Sequence, residues 1–253
     1  MERVDRASLA TFLAAVPLLG PGEIALAADV AHHMRVRRLE PGDPVQLLDG
    51  AGGVARGTLA RLDKGGAVVE VDGVDRRPPP PPVHILVPVA DRDRSLWLAE
   101  KCTELGLSSW RPVRWRRSHG VASRGDGEGF QAKLRARMGA ALTQAEGAWL
   151  PELYPPAEPA AALAALPPGG RLVLDVDGEP LLRCVGDAPA AGVVLALGPE
   201  GGLERDERDA LVAAGFRPAA LPGGILRFET AGVVALALTL AALPAGTGGF
   251  DGR

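Results

Sequence analysis

Three ionisable residues stand beside glycine-rich bends in the last third of the chain. Glu200 lies inside Gly198-Pro199-Glu200-Gly201-Gly202, and Arg227 and Glu229 follow Pro222-Gly223-Gly224. A carboxylate in such a place can accept a proton, and a cation can stabilise developing negative charge. Glycines let backbone amides approach a ligand closely. The first bend follows the apolar run "VVLAL" and the second a shorter one ending at Leu221. In open α/β sheets ligands bind beyond the carboxyl ends of strands, so two such bends at successive strand ends make a two-sided pocket.

The chemistry of that pocket can be narrowed. The first bend carries no Gly-Lys-Ser/Thr and no G-x-G-x-x-G spacing, which disfavours a nucleoside triphosphate. Glu204, Asp206 and Glu207 open the next helical stretch and already complement its positive end. A neutral or cationic ligand suits the site better than a phosphate. A purely structural reading stays open as well, with Glu229 or Thr230 capping a helix and Arg227 paired with an acid. Other chemistries are poorly represented. His32, His33, His84 and His119 are scattered, without HExxH or CxxC spacing, and Cys102 and Cys184 are the only cysteines. No metal site and no serine or cysteine nucleophile is expected.

These residues need elements to hold them. "RRPPPPPV", residues 76 to 83, cannot continue a helix or a central strand and marks a boundary between residues 1–77 and 78–253. Before it, "DPVQLLDG", "GVARGTLARL" and "GAVVEVDG" read as short strands of a β-rich module, preceded by a short helix or turn carrying Arg35, Arg37 and Arg38. After it, strands and helices alternate. "VHILVPVA" is a strand, and "RDRSLWLAEKCTELG" a helix starting near Asp91 or Asp93 and stopping at Gly106. "SSWRPVRW" reads as a strand whose Pro112 suits a sheet edge. Phe130, Leu134, Met138 and Leu142 fall at helical spacing, and "RLVLDVDG", "GVVLALGPEGG" and "ERDERDALVAAGF" give strand, strand and helix. The whole predicts an α/β fold with a mainly parallel sheet covered by helices. The closing "TAGVVALALTLAAL" is apolar on nearly every face and must be buried, in the core or against a second subunit.

The 253 residues carry a net charge of −3, but Trp110 to Arg137 holds eight Lys and Arg against two acids, leaving −9 for the remainder. A local basic patch on an acidic protein can follow a phosphate backbone, and a solvated face explains it equally well. No apolar run approaches the roughly 20 residues of a membrane span, and "MERVDR" lacks the apolar core of a signal peptide, so a cytoplasmic location without membrane association is expected.

"TELGLSSWRPV", "LALGPEGGLERDE" and "GGILRFETAGVVAL", in that order, together with "AHHMRVRRLEPGDPVQLLDGAGG", resemble the RsmE family of small-subunit (16S) ribosomal RNA uridine-N3 methyltransferases, in the SPOUT superfamily. The resemblance runs from about Ala31 to Leu243. It implies an N-terminal PUA-like β-barrel, a C-terminal α/β domain tied in a deep trefoil knot, S-adenosylmethionine as cofactor, small-subunit ribosomal RNA as partner, and a homodimer. The cofactor walls it implies are Leu174, Leu197, Gly198, Pro199, Glu200, Gly201 and Gly202, with Leu221, Ile225, Leu226 and Thr230. It implies Arg227 as the cation beside the uracil oxygens, with Glu229 or Glu200 accepting the N3 proton. Arg35, Arg37, Arg38, Arg114, Arg116, Arg117, Lys133, Arg135 and Arg137 would hold the RNA backbone. Gly224, Phe228 and Gly147 stand where the family usually carries other residues. Two other readings remain open: a related enzyme acting on another RNA position, and a non-catalytic RNA-binding factor.

Overall fold

A computed structural model describes residues 9–118, 127–186 and 191–244. The chain forms two compact units. One holds the described residues through Pro79 together with Leu142–Trp149, and the other holds Pro80–Ala141 and the described residues from Leu150 onward.

The first unit is a five-stranded sheet. Its elements are β1 (Ala10–Leu13), β2 (Gly22–Leu26), α1 (Ala28–Val36), β3 (Pro44–Leu48), β4 (Gly53–Leu62) and β5 (Ala67–Arg76), with strand order β1-β3-β4-β5-β2. The three strands expected from the sequence are β3, β4 and β5, paired antiparallel. Period-two alternation buries Val45, Leu47, Leu59, Val69 and Val71 against Met34 of α1 and Phe12 of β1. Asp49 organises the β3–β4 turn. Its side chain is 1% exposed and accepts from the amides of Ala51 (2.8 Å), Gly53 (2.7 Å) and Leu18 (3.3 Å) and from Arg76 (3.1 Å). Leu142–Trp149 joins this unit through Gly52 N–H to Ala148 O at 2.8 Å and Trp149 Nε1 to Arg77 O at 3.1 Å.

The second unit is built on β6 (Val83–Pro88), α2 (Arg92–Leu105), β7 (Ser109–Val113), α3 (Glu128–Gln144), β8 (Glu152–Leu153), α4 (Pro159–Ala164), β9 (Gly170–Pro180), α5 (Leu181–Gly186), β10 (Val193–Ala196), α6 (Arg205–Ala213), β11 (Arg217–Ala220) and α7 (Phe228–Ala242). Its six strands are all parallel, in the order β11-β9-β10-β6-β7-β8. Both faces are covered, so β10, and β6 apart from half-buried His84, read as apolar runs rather than alternating ones. Asp91 caps α2 by accepting from Asp93 N (3.1 Å) and Arg94 N (3.0 Å), and Gly106 ends it at φ 89°.

Pro112 departs from the edge position expected of it, since β7 lies between β6 and β8. The conflict is local and resolved. β8 pairs only with Ser109 and Trp110, and the Pro112 carbonyl, on the side where its missing N–H would point, accepts from Ala157 N at 3.0 Å. The apolar helix α7 buries Phe228, Glu229, Gly232, Ala235, Leu236 and Thr239. Gly232 lets it close on its neighbours: a Cβ there would lie 2.8 Å from Leu98 Cδ1 and 3.1 Å from Leu197 Cδ2. Among the described residues no helix is long and apolar enough to cross a membrane.

Candidate active site

A cavity of about 400 Å³ opens at the carboxyl ends of the adjacent strands β9, β10 and β11. That size is in the range of small-molecule sites. Three chain segments supply most of its wall. The first is Leu174, Asp175 and Val176 of β9, which bulges out of register between the partners of Pro218 and Ala219. The second is the bend after β10, contributing Leu197, Gly198, Pro199, Glu200 and Gly202. The third is the bend after β11, contributing Leu221, Gly223, Gly224, Ile225, Leu226 and Arg227. Both glycine-rich bends of the sequence thus face one space.

The bend after β10 has local causes. Leu197 is fixed at its base: its N–H donates to Leu86 O at 2.9 Å, and its carbonyl accepts from buried Trp115 Nε1 at 3.0 Å. Gly202 takes φ 75°, where a side chain would be strained. Gly201 lies against Arg117, whose Cδ would be 3.1 Å from an added Cβ. Glu207 then starts α6 by accepting from Glu204 N at 2.8 Å.

The expected cofactor residues divide. Gly201 and Thr230 are outside the cavity lining: Gly201 faces Arg117, and Thr230 is exposed on the first turn of α7. Of the three ionisable residues, Glu200 and Arg227 line the cavity and Glu229 does not. Glu229 is buried, with Oε1 3.8 Å from Arg94 Nε and Oε2 without a hydrogen-bond partner among the described residues. Neither Glu229 nor Thr230 is the N-cap of α7; Arg227 is, and it makes no ion pair among the described residues. Asp175, Arg208 and Arg94 are site residues that the sequence pattern did not single out. Asp175 and Arg208 line the cavity, and Arg94 donates to Glu200 Oε1 at 3.0 Å. A bulge in β9 and an ion pair 106 residues apart leave no trace in periodicity. Gly224 is open, with nothing near the place of a Cβ, and Phe228 is buried in the core.

The basic residues are partly engaged within the protein. Arg116 donates its backbone N–H to Glu207 Oε1 at 2.6 Å and its side chain to Asp206. Arg117 pairs with Glu204 at 2.7 Å, Arg137 with Glu100 at 2.8 Å, and Arg114 with Pro156 O at 3.0 Å. Lys133 and Arg135 are exposed on α3. In the first unit Arg35 donates to Asp63 O at 3.2 Å, Arg37 lies 6.0 Å from the Phe12 ring centre, and Arg38 is exposed. Among the described residues no cluster of His, Cys, Asp and Glu could hold a metal ion. His84 is half-buried against Ser109 and its pKa is lowered by that burial, while burial pushes the Cys102 thiol pKa up, so Cys102 is not a poised nucleophile. His119 lies outside the described residues.

The all-parallel sheet with a glycine-walled cavity at its strand ends is a framework for a small-molecule site, and it follows a separate β-rich unit in the chain. Residues 77–240 match the RNA methyltransferase domain and residues 26–72 the RNA methyltransferase PUA domain. The chain is 31% identical over 209 residues to ribosomal RNA small subunit methyltransferase E of Synechocystis sp., covering 77% of this chain and 64% of that protein. It is 32% identical over 198 residues to the Mycobacterium bovis protein of the same name, covering 73% and 72%. Among solved structures, the Neisseria gonorrhoeae ribosomal RNA small subunit methyltransferase E, bound to S-adenosyl methionine, superposes with a TM-score of 0.82 at 25% identity over 92% of this chain and 97% of that one. Lpg2936 of Legionella pneumophila, solved with SAM bound, shares the fold at TM-score 0.84 and 22% identity, over 93% and 98%. The chain belongs to the ribosomal RNA small subunit methyltransferase E family.

Proposed function

We propose that this protein is an S-adenosylmethionine-dependent methyltransferase acting on uridine N3 in small-subunit (16S) ribosomal RNA. The observation that carries the reading is the convergence of both glycine-rich bends on one cavity in a chain of this family. The lining fits the cofactor's mixed character. Leu174, Leu197, Leu221, Ile225 and Leu226 supply apolar walls, the bends supply backbone groups, and Asp175, Glu200, Arg208 and Arg227 supply both signs of charge. Val176 and Ile225, 67% and 91% exposed at the rim, are placed to cover a flat apolar group. When bound, the cofactor supplies a methyl group on a sulfonium.

Uracil N3 carries a proton and is a poor nucleophile until it leaves. Arg227, exposed at the cavity wall and unpaired among the described residues, favours the imide anion by standing beside the uracil oxygens. Glu200 is the acid of the original pair that faces the cavity and is the candidate proton acceptor, directly or through water. Glu229, turned toward Arg94, fits an anchoring role better. The target base must be unpaired or flipped to enter. Residues 1–77 serve as the RNA-contacting PUA-like domain and 78–253 as the methyltransferase domain. Arg35, Arg37, Arg38, Lys133 and Arg135, with the outer faces of Arg114, Arg116, Arg117 and Arg137, follow the RNA backbone. We further infer a trefoil-knotted second domain and a cytoplasmic homodimer. The dimer is supported by the half-buried apolar side chains of α7, among them Val233, Val234 and Leu238, and by exposed Trp97 on α2.

The test is to incubate the protein with methyl-labelled cofactor and small ribosomal subunits lacking the modification, then locate the label by mass spectrometry. N3-methyluridine at one position is expected. Label elsewhere on the RNA would reassign the target, and no label would remove the enzymatic reading.

A further inference from the structure

The bend after β10 is gripped from two sides by arginines from separate parts of the chain. On one flank Arg94, in the first turn of α2, donates Nη1 to Glu200 Oε1 at 3.0 Å while its Nε lies 3.8 Å from Glu229 Oε1. On the other, Arg117 in the turn at Arg116–Ser118 donates Nε to Glu204 Oε1 at 2.7 Å and Nη1 to the Gly201 carbonyl. Its methylene stem occupies the space that a side chain at position 201 would need. The turn bearing Arg117 is itself fixed, because Arg116 N–H donates to the buried Glu207 carboxylate.

We propose that Arg94 and Arg117 are positioning residues which together brace the Gly198–Gly202 bend in its ligand-binding shape; this rests on reading the cavity as the cofactor site. Each of the three glycines in this five-residue stretch has more backbone freedom to lose than any other residue type would have in its place. Left unbraced, it would be ordered at the expense of binding affinity, whereas a loop ordered beforehand keeps that affinity. The four side chains of the two pairs are a third to a half exposed. Exposed pairs add little to global stability, so their effect is confined to the loop they touch. The two arms differ in chemistry. Arg117 reaches two acceptors with different nitrogens of one planar fork, which a lysine cannot reproduce, while Arg94 makes one close bond to Glu200 that an ammonium can keep in part.

The test uses the full-length protein and reads hydrogen exchange of residues 198–204 without ligand, cofactor affinity by calorimetry, and melting temperature. Arg117→Ala and Arg117→Lys should each speed loop exchange and weaken cofactor binding about tenfold or more, with an unchanged melting temperature. Arg94→Ala should do the same to the loop, and Arg94→Lys should recover part of the loss. Removal of Arg94 also strips Glu229 of its cation; where that variant fails to fold, Arg94→Ala with Glu229→Gln removes the uncompensated charge and is read instead. Unchanged loop exchange in both the Arg94 and the Arg117 variants would overturn the brace. Absence of cofactor binding by the unaltered protein would instead overturn the cofactor-site reading, and loop exchange would still decide the brace.

Discussion

Trp115 donates its indole N–H to the Leu197 carbonyl at 3.0 Å, and both residues are almost wholly buried. That bond ties the end of β7 to the residue from which the glycine-rich bend departs. Trp115→Phe keeps most of the apolar volume but leaves a buried carbonyl without its donor, a loss of about 1–3 kcal/mol. Denaturant unfolding should show that loss, and calorimetry should show weaker cofactor binding. An unchanged stability would mean that a water replaces the indole.

Arg227 and the cavity give a kinetic prediction. Arg227→Ala should abolish methyl transfer while cofactor affinity stays within about an order of magnitude, since the guanidinium is assigned to the substrate oxygens. Single-turnover kinetics and calorimetry on the same preparation separate the two effects. Full activity in that variant would dismiss Arg227 from catalysis.

Gly232 gives a packing prediction. Its place against Leu98 and Leu197 leaves no room for a branched side chain. Gly232→Val should destabilise the protein by about 1–3 kcal/mol, despite the poorer helix propensity of glycine. Thermal unfolding measures it, and a rise in stability would show that α7 can move outward freely.

Asp49 gives a pH prediction for the first unit. Burial alone would raise its pKa, but the amides of Ala51, Gly53 and Leu18 and the charge of Arg76 outweigh it and hold the group below the usual carboxylate range. A depressed folded-state pKa contributes stability that is present above the unfolded value, near 3.9, and is lost as pH falls through the folded value. Asp49→Asn should therefore lower stability at neutral pH by about 1–3 kcal/mol and flatten its fall below about pH 4. Parallel slopes in the two proteins would show that Asp49 does not carry the acid sensitivity.

Much of the fold was legible because it follows local rules. Asp91 and Gly106 bracket α2 as a cap and a stop, and β3, β4 and β5 announce themselves by alternation between Gly and Asp turns. Both bends were visible because glycine and proline mark them. What stayed hidden depends on long-range geometry. Pro112 looked like an edge residue because nothing in the sequence reveals that β8 is only two residues long. Glu229 reads as a pocket acid close to Arg227, yet on the first turn of α7 its carboxylate lies beside Arg94 of α2 and does not line the cavity. Arg116 and Arg117 stand out in the sequence by charge, but nothing in it reveals that Asp206, Glu204 and the Gly201 carbonyl lie within their reach. Strand order and side-chain direction decide such pairings, and neither has a period.

The shared occupancy of the two bends is tested most directly by titrating S-adenosylmethionine into isotopically labelled protein and following backbone amides by NMR. Amides of Gly198–Gly202 and of Gly223–Leu226 should shift together with one affinity, and ATP should shift neither set. Movement of one bend without the other, or no saturable change in either, would contradict a cofactor held between them.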